Sequence, residues 1–280
     1  MKIIKNIPIE GQHNRSILTD VFYRDENRVK PLVIFVHGYK GFKDWGCWNL
    51  AAQKFAAHDF FFVKFNFSHN GGTVEQPIDF PDLEAFGNNN YSIEMDDLDS
   101  VINWVIQNDS FQGQIDRNRV ILIGHSRGGG IAMLKAYEDK RISKLITWAG
   151  VSDFETRFPK GAILKKWEED GVVYIENMRT KQKMPHYFQF YENFVEHKDR
   201  FNIAHAAAHL QIPHLIIHGD KDETVPFEEA LFLHDLNPNS TLSKIAGGNH
   251  TFGCSHPWKM KTISQFFEEI IKKSIDFVLK

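Results

Sequence analysis

Short apolar runs alternate along this chain with stretches in which apolar positions recur at helical spacing. Ser16 to Tyr23 and Leu32 to His37 read as strands joined by a polar turn, Arg24 to Lys30. Trp48 to His58 reads as a helix and Phe60 to Phe67 as a strand. From Met95 to Gln107 the apolar residues fall at 95, 98, 101, 102, 105 and 106, one stripe of a helix whose first turn is acidic. Val120 to Ile123 is wholly apolar and ends at Gly124, the form of a strand buried on both faces. A helix from about Gly129 to Glu138 follows, then strands at Lys144 to Trp148, His214 to His218 and Thr241 to Ile245. Phe227 to Leu236 and Trp258 to Leu279 carry helical patterns, the second amphipathic. This alternation predicts an α/β fold, a mostly parallel sheet with helices on both faces.

Two segments break the alternation. Ser68 to Asn90 holds Gly71, Gly72, Pro77, Pro81 and Gly87 and reads as a long loop, a length usually kept for function. Ser152 to His205 contains a helical patch at Ile163 to Glu169, an apolar run at Val172 to Ile175 and an aromatic helix at His186 to Glu196. It reads as a cap, residues 152–205, inserted into a core made of residues 1–151 and 206–280.

Composition narrows the class. The chain has 280 residues, 42% of them hydrophobic, with a net charge of −3, which excludes a disordered chain and argues against nucleic acid as a partner. Cys47 and Cys254 lie far apart in sequence, so both are expected as free thiols in a reducing compartment. Asn6, Pro8 and Glu10 interrupt the amino-terminal segment too often for a signal-peptide core, and no apolar stretch is long enough to span a membrane. A cytoplasmic protein that binds no membrane is the expectation. The 24 Phe outnumber Tyr and Trp together, and the cap adds Trp167, Tyr174, Tyr187 and Tyr191 to its share. Most of these rings are expected to hold the cap to the core, with the remainder roofing an apolar site.

The chemistry concentrates in four places. Gly124-His125-Ser126-Arg127-Gly128 sits where a buried strand turns into a helix. There a serine occupies a sharp turn that presents its hydroxyl, and glycines remove side chains that would collide across it. A plain glycine-rich, anion-binding helix start is the blander reading. A serine hydroxyl needs a base, and the base needs a carboxylate to orient it. Gly219-Asp220-Lys221-Asp222 follows one strand and Gly247-Gly248-Asn249-His250 follows the next, so the order is serine, aspartate, histidine. Finally, His37-Gly38-Tyr39-Lys40-Gly41 follows an apolar strand and can aim a backbone N–H at a developing oxyanion. The donors are then the N–H groups of Tyr39 and Arg127.

With these motifs in place, the chain from about Pro31 onward resembles the α/β-hydrolase superfamily. It is similar to bacterial dienelactone-hydrolase-like and cinnamoyl or feruloyl esterases. The resemblance implies that Asp222 rather than Asp220 is the triad acid, through the pattern His-Gly-Asp-x-Asp-x-x-Val-Pro starting at His218. It also puts the cap after the sixth strand. True dienelactone hydrolases carry Cys where this chain has Ser126, so lactone specificity is not implied.

The expected activity is hydrolysis of small carboxylic esters through an acyl-enzyme on Ser126, with Asp222 and His250 and without metal or organic cofactor. A serine peptidase of the prolyl-oligopeptidase-like side of the superfamily is the alternative, and a catalytically dead binding protein a third. His205 and His209 invite a metal reading, but no third ligand is placed, and two partly exposed histidines entering a strand are preferred. The Arg127 side chain is open between binding a substrate carboxylate and a structural ion pair.

Overall fold

Every run read as a strand belongs to one eight-stranded sheet; most are apolar enough to be covered on both faces, while Thr241 to Ile245 lies at the edge and is only partly buried. The computed structural model describes residues 1–26 and 28–280. In chain order the elements are β1 (Lys2–Glu10), β2 (Ser16–Tyr23), β3 (Lys30–Val36), α1 (Trp48–Ala57), β4 (Phe61–Asn66), α2 (Leu83–Gly87), α3 (Tyr91–Gln107), β5 (Ile115–His125), α4 (Arg127–Glu138) and β6 (Ile142–Trp148). There follow α5 (Ala162–Asp170), β7 (Val172–Glu176), β8 (Lys183–Tyr187), α6 (Gln189–Glu196), α7 (Ile203–His209), β9 (His214–Gly219), α8 (Phe227–Leu236), β10 (Ser240–Ile245) and α9 (Gln265–Leu279). The strand order is β1-β2-β4-β3-β5-β6-β9-β10. Only β1 and β2 run antiparallel to their neighbours. From β4 to β10 the pairing is parallel, so the carboxyl ends of β3, β5, β9 and β10 share one edge.

Two apolar cores lie on opposite faces of this sheet. One joins Trp48, Phe55, Phe62, Ile123, Trp148, Phe267 and Ile271, so α1 and α9 cover that face. The other joins Val63, Leu122, Leu98, Val101, Leu134 and Leu233, under α3, α4 and α8. Tyr91, Phe154, Phe158, Phe190 and Phe194 belong to the second core, which thereby extends into the segment after β6. Tyr91 stacks on Phe154 with centroids 4.0 Å apart, and Phe158 and Phe190 rings meet at 5.1 Å. Most aromatic rings of residues 152–205 thus hold that segment to the core.

The structure departs from the sequence reading in several places. Lys2–Glu10 is an edge strand; the register slips between Ile4 and Ile7, where Asn6 has φ 55° and donates its N–H to Asp20. A bulge and an edge position make the Asn and Pro compatible with pairing. The long loop after β4 contains α2, capped by Asp82, whose side chain accepts from Ala85 N–H. His186 and Tyr187 lie in β8, paired with β7, and the aromatic helix starts only at Gln189. His205 and His209 lie on α7 rather than entering a strand, with their rings 4.2 Å apart. The carboxy-terminal helix starts at Gln265 because Ser264 caps it, accepting from Phe267 N–H; Trp258 precedes it in irregular chain.

The largest correction concerns the cysteines. Cys47 and Cys254 form a disulfide, with Cα atoms 6.2 Å apart, and no free cysteine is present among the described residues. Sequence distance was a poor guide, because the sheet returns both segments to the same edge. The free-thiol reading fails, and the argument it gave for a reducing compartment goes with it. No helix is long and apolar enough to cross a membrane among the described residues.

Candidate active site

The turn from β5 into α4 is held by backbone geometry that needs glycine at two positions. Ser126 has φ 57° and ψ −124°, a conformation unusual for a residue with a side chain. Its N–H donates to Trp148 O at 3.0 Å, and its carbonyl accepts from Gly129 and Val151 N–H. A Cβ on Gly124 would lie 2.2 Å from the carbonyl oxygen of Gly128, and one on Gly128 would lie 2.4 Å from those of Val36 and His37. The two glycines therefore let β5, α4 and β3 approach closely enough to bend the chain at Ser126. Arg127 opens α4, so its N–H is one of the helix donors without an intrahelical acceptor.

Asp222 and His250 come together across the loops after β9 and β10. The His250 Nδ1–H donates to Asp222 Oδ2 at 2.8 Å. The other oxygen, Oδ1, accepts from the N–H groups of Thr224 and Val225, both at 2.9 Å, so the carboxylate cannot rotate away. His218 Nε2 donates to Val225 O and lies 3.3 Å from Asp222 Oδ2. Burial pushes the Asp222 pKa up, but hydrogen bonds from His218 and His250 outweigh it and hold the group well below the usual carboxylate range. Asp220 does a different job: its Oδ1 accepts from Gly247 N–H at 2.7 Å, tying the two loops together. Ser126 and His250 border one cleft of about 190 Å³, together with His37, Gly38, Tyr39, Trp48 and His125.

Two histidines that flank the sequence motifs, His37 and His125, orient this site through backbone carbonyls. His37 Nε2 accepts from Phe67 N–H at 3.4 Å, which leaves Nδ1–H to donate to Gly38 O at 2.9 Å. That bond fixes the turn carrying Tyr39, which Gly41 N–H to Gly38 O closes at 3.0 Å. His125 Nε2 donates to the carbonyl of His250 at 2.9 Å. Burial pushes the pKa of His37 down to about 4 and that of His125 to about 3, so both act as neutral rings. Beneath the same turn lies a buried quartet in which Lys43 and Lys64 each pair with Asp20 and Asp44. Lys43 N–H also donates to Asn66 Oδ1 at 2.6 Å. The turn is thereby fastened to β2 and β4.

On the other side of Ser126 opens a cavity of about 510 Å³, lined chiefly by aromatic and aliphatic side chains, among them Tyr39, Phe154, Trp167 and Phe190. The Tyr39 hydroxyl donates to His186 Nε2 at 2.6 Å, bridging the turn after β3 to β8. Burial pushes the His186 pKa down to about 3, with the Arg127 charge adding to it, so its ring is uncharged and has a nitrogen lone pair to accept with. Arg127 itself reaches Glu94 Oε1 with Nη1 at 3.2 Å, and its guanidinium lies 4.4 Å from the Tyr39 ring centroid. It forms the structural ion pair, and a substrate carboxylate is not needed to balance its charge. No group of three or more metal-ligating side chains occurs among the described residues.

A mostly parallel sheet, a strand-to-helix serine turn and an Asp–His pair at the carboxyl edge define an α/β-hydrolase fold. The BD-FAE family profile matches residues 19–236, more than half of the chain, and the protein belongs to that family. Among solved structures it is similar to Est1E from Butyrivibrio proteoclasticus, with TM-score 0.68, 15% identity and coverage of 99% of this chain and 98% of that one. Est1E has also been solved with ferulic acid bound. A putative dienelactone hydrolase from Klebsiella pneumoniae aligns over the whole of both chains, with TM-score 0.62 and 15% identity. Among curated proteins, the uncharacterized peptidase YtmA of Bacillus subtilis is 27% identical, but the match spans 43% of this chain and only 42% of that protein. The quorum-quenching protein AidA of Acinetobacter baumannii is 20% identical over 99% of this chain and 97% of its own length.

Proposed function

We propose that this protein is a serine carboxylesterase. The observation that carries the reading is the Asp222–His250 hydrogen bond opening on the same cleft as a serine held at positive φ. In the proposed cycle, Ser126 Oγ attacks the ester carbon while His250 Nε2 takes its proton, and Asp222 stabilises the resulting imidazolium. The N–H groups of Tyr39 and Arg127 bind the oxyanion, the second aided by the positive end of α4. The C–O bond to the alcohol breaks as His250 returns the proton to that oxygen. Water, deprotonated by His250, then releases the acid and restores Ser126.

Residues 152–205 act as the cap in this reading. Their aromatic lining of the larger cavity supports a preference for hydrophobic or aromatic groups over acetate, in keeping with the ferulic acid held by Est1E. The peptidase reading rests on a relative matched over less than half of either chain.

The test is Ser126→Ala assayed with p-nitrophenyl esters and a fluorophosphonate probe. Loss of at least about 10³-fold in kcat, with labelling abolished, is expected. Turnover that survives the substitution overturns the triad, and amides cleaved as fast as activated esters restore the peptidase reading.

A further inference from the structure

Arg127 is an odd residue to find beside an apolar cavity. Its guanidinium lies within 5.5 Å of the ring centroids of Tyr39, Tyr91 and Phe190, and all three rings line that cavity, as Arg127 does. Only Nη1 finds a protein acceptor among the described residues, Glu94 Oε1. Nε and Nη2 have none, yet neither is among the fully buried polar atoms without a partner. These two donors therefore reach the cavity space. A planar guanidinium with two unused N–H directions binds oxygen acceptors with defined geometry. Charge decides which acceptor. Glu94 already neutralises the cation, and Arg157, the other arginine on the cavity wall, is paired with Glu229. A second carboxylate would enter an apolar space with no unpaired cation to meet it, and would lose its hydration there.

Building on the esterase reading, we infer that the group seated in this cavity is apolar but carries one neutral oxygen acceptor, such as a ketone or amide carbonyl, which the Arg127 side chain binds. Arg127 thus contributes twice: its backbone N–H faces the oxyanion, and its side chain selects the acyl group.

The experiment compares p-nitrophenyl octanoate with its positional oxo-octanoate isomers and with the ester of a dicarboxylic acid of equal length. A charge-assisted hydrogen bond predicts that at least one oxo isomer exceeds the plain chain by about 10-fold or more in kcat/KM, with the dicarboxylate ester below both. Arg127→Met brings the ratio of oxo to plain chain to near one, and Arg127→Lys, which lacks the planar fork, lowers it. Because the ratio is taken within each protein, an overall loss of activity does not obscure it. Plain chains cleaved in a Ser126-dependent way without any oxo preference overturn this inference and leave the esterase reading standing. A ratio unchanged by Arg127→Met, or a preference for the dicarboxylate, also overturns it. If no ester is cleaved, the esterase reading falls first. The same oxo and plain chains, presented as anilides to Ser126→Ala protein, then give the ratio as dissociation constants, and equal constants overturn the inference.

Discussion

At Gly128 the chemistry of the site reduces to the space for one methyl group. A Cβ there would lie 2.4 Å from two main-chain oxygens of β3 and the turn that follows it, and backbone cannot rotate aside as a side chain can. Gly128→Ala must therefore push α4 away from β3, carrying the Arg127 N–H and the Ser126 turn with it. Overpacking of this kind costs about 1–3 kcal/mol, and the shift also displaces the Ser126 hydroxyl. The expected result is a lowered melting temperature together with a loss of ester turnover larger than destabilisation alone gives at 25 °C. A variant as active as wild type would show that the turn is less constrained than its contacts imply. The motif around Ser126, with Asp222 and His250 following later strands, was readable in the sequence because each lies at a strand end and carries a characteristic neighbour. His37 and His125 were readable as structural residues flanking those motifs, but their partners were not. Their bonds to Gly38 and His250 carbonyls join backbone to ring, and such pairs leave no residue-type signature.

Between elements, the segment after β3 and the loop after β10 are joined by the Cys47–Cys254 disulfide. Around it, Gly46 N–H donates to His256 Nδ1 at 3.0 Å, and the Phe42 and His256 rings meet edge-on at 4.9 Å. One segment carries Tyr39 and the other His250, so the bond braces the Tyr39 turn against the His250 loop. Cross-linking residues this far apart in sequence stabilises a protein by about 2–4 kcal/mol. Reduction, or Cys47→Ser with Cys254→Ser, is expected to lower the melting temperature and to reduce kcat more than it changes KM. Equal activity in both redox states would mean that the surrounding contacts suffice without the bond. Most helices and strands announced themselves by periodicity, as α8 did with the bounds read from sequence. The strands at Lys2–Glu10 and Lys183–Tyr187 did not: the first is an edge strand in which only Ile9 is buried, and the second buries Met184, Pro185 and His186, a composition without strand periodicity. The disulfide was illegible for a different reason: residues 207 positions apart meet only once the sheet is formed.

Across the whole molecule, the unusual quantity is the number of imidazoles buried without charge. His37, His69, His125, His186 and His214 have pKa values depressed to about 4, 4, 3, 3 and 3, with burial as the leading cause in each. In the unfolded chain each titrates near about 6.5. Below that pH the unfolded state binds protons that the folded state refuses, so stability falls as pH drops, until the folded values are reached. Each such ring contributes a slope of roughly 1.4 kcal/mol per pH unit between about 6.5 and 4. Asp97 acts in the opposite direction. Burial raises its pKa to about 7, so the folded state holds an extra proton throughout this range, and stability gains on acidification. One carboxyl group against five imidazoles leaves the histidines dominant. Urea unfolding at a series of pH values is therefore expected to give stability falling by a few kcal/mol per unit from about pH 6.5 towards 4. The choice of variant follows from His214, whose Nε2–H donates to Thr147 Oγ1 at 2.9 Å while Nδ1 accepts from Asn237. His214→Gln keeps a hydrogen-bonding end there but removes the titration, so its slope should be shallower by about 1.4 kcal/mol per unit. A flat profile, or stability that rises on acidification, would mean that these rings accept protons in the folded state and that Asp97 governs the balance instead.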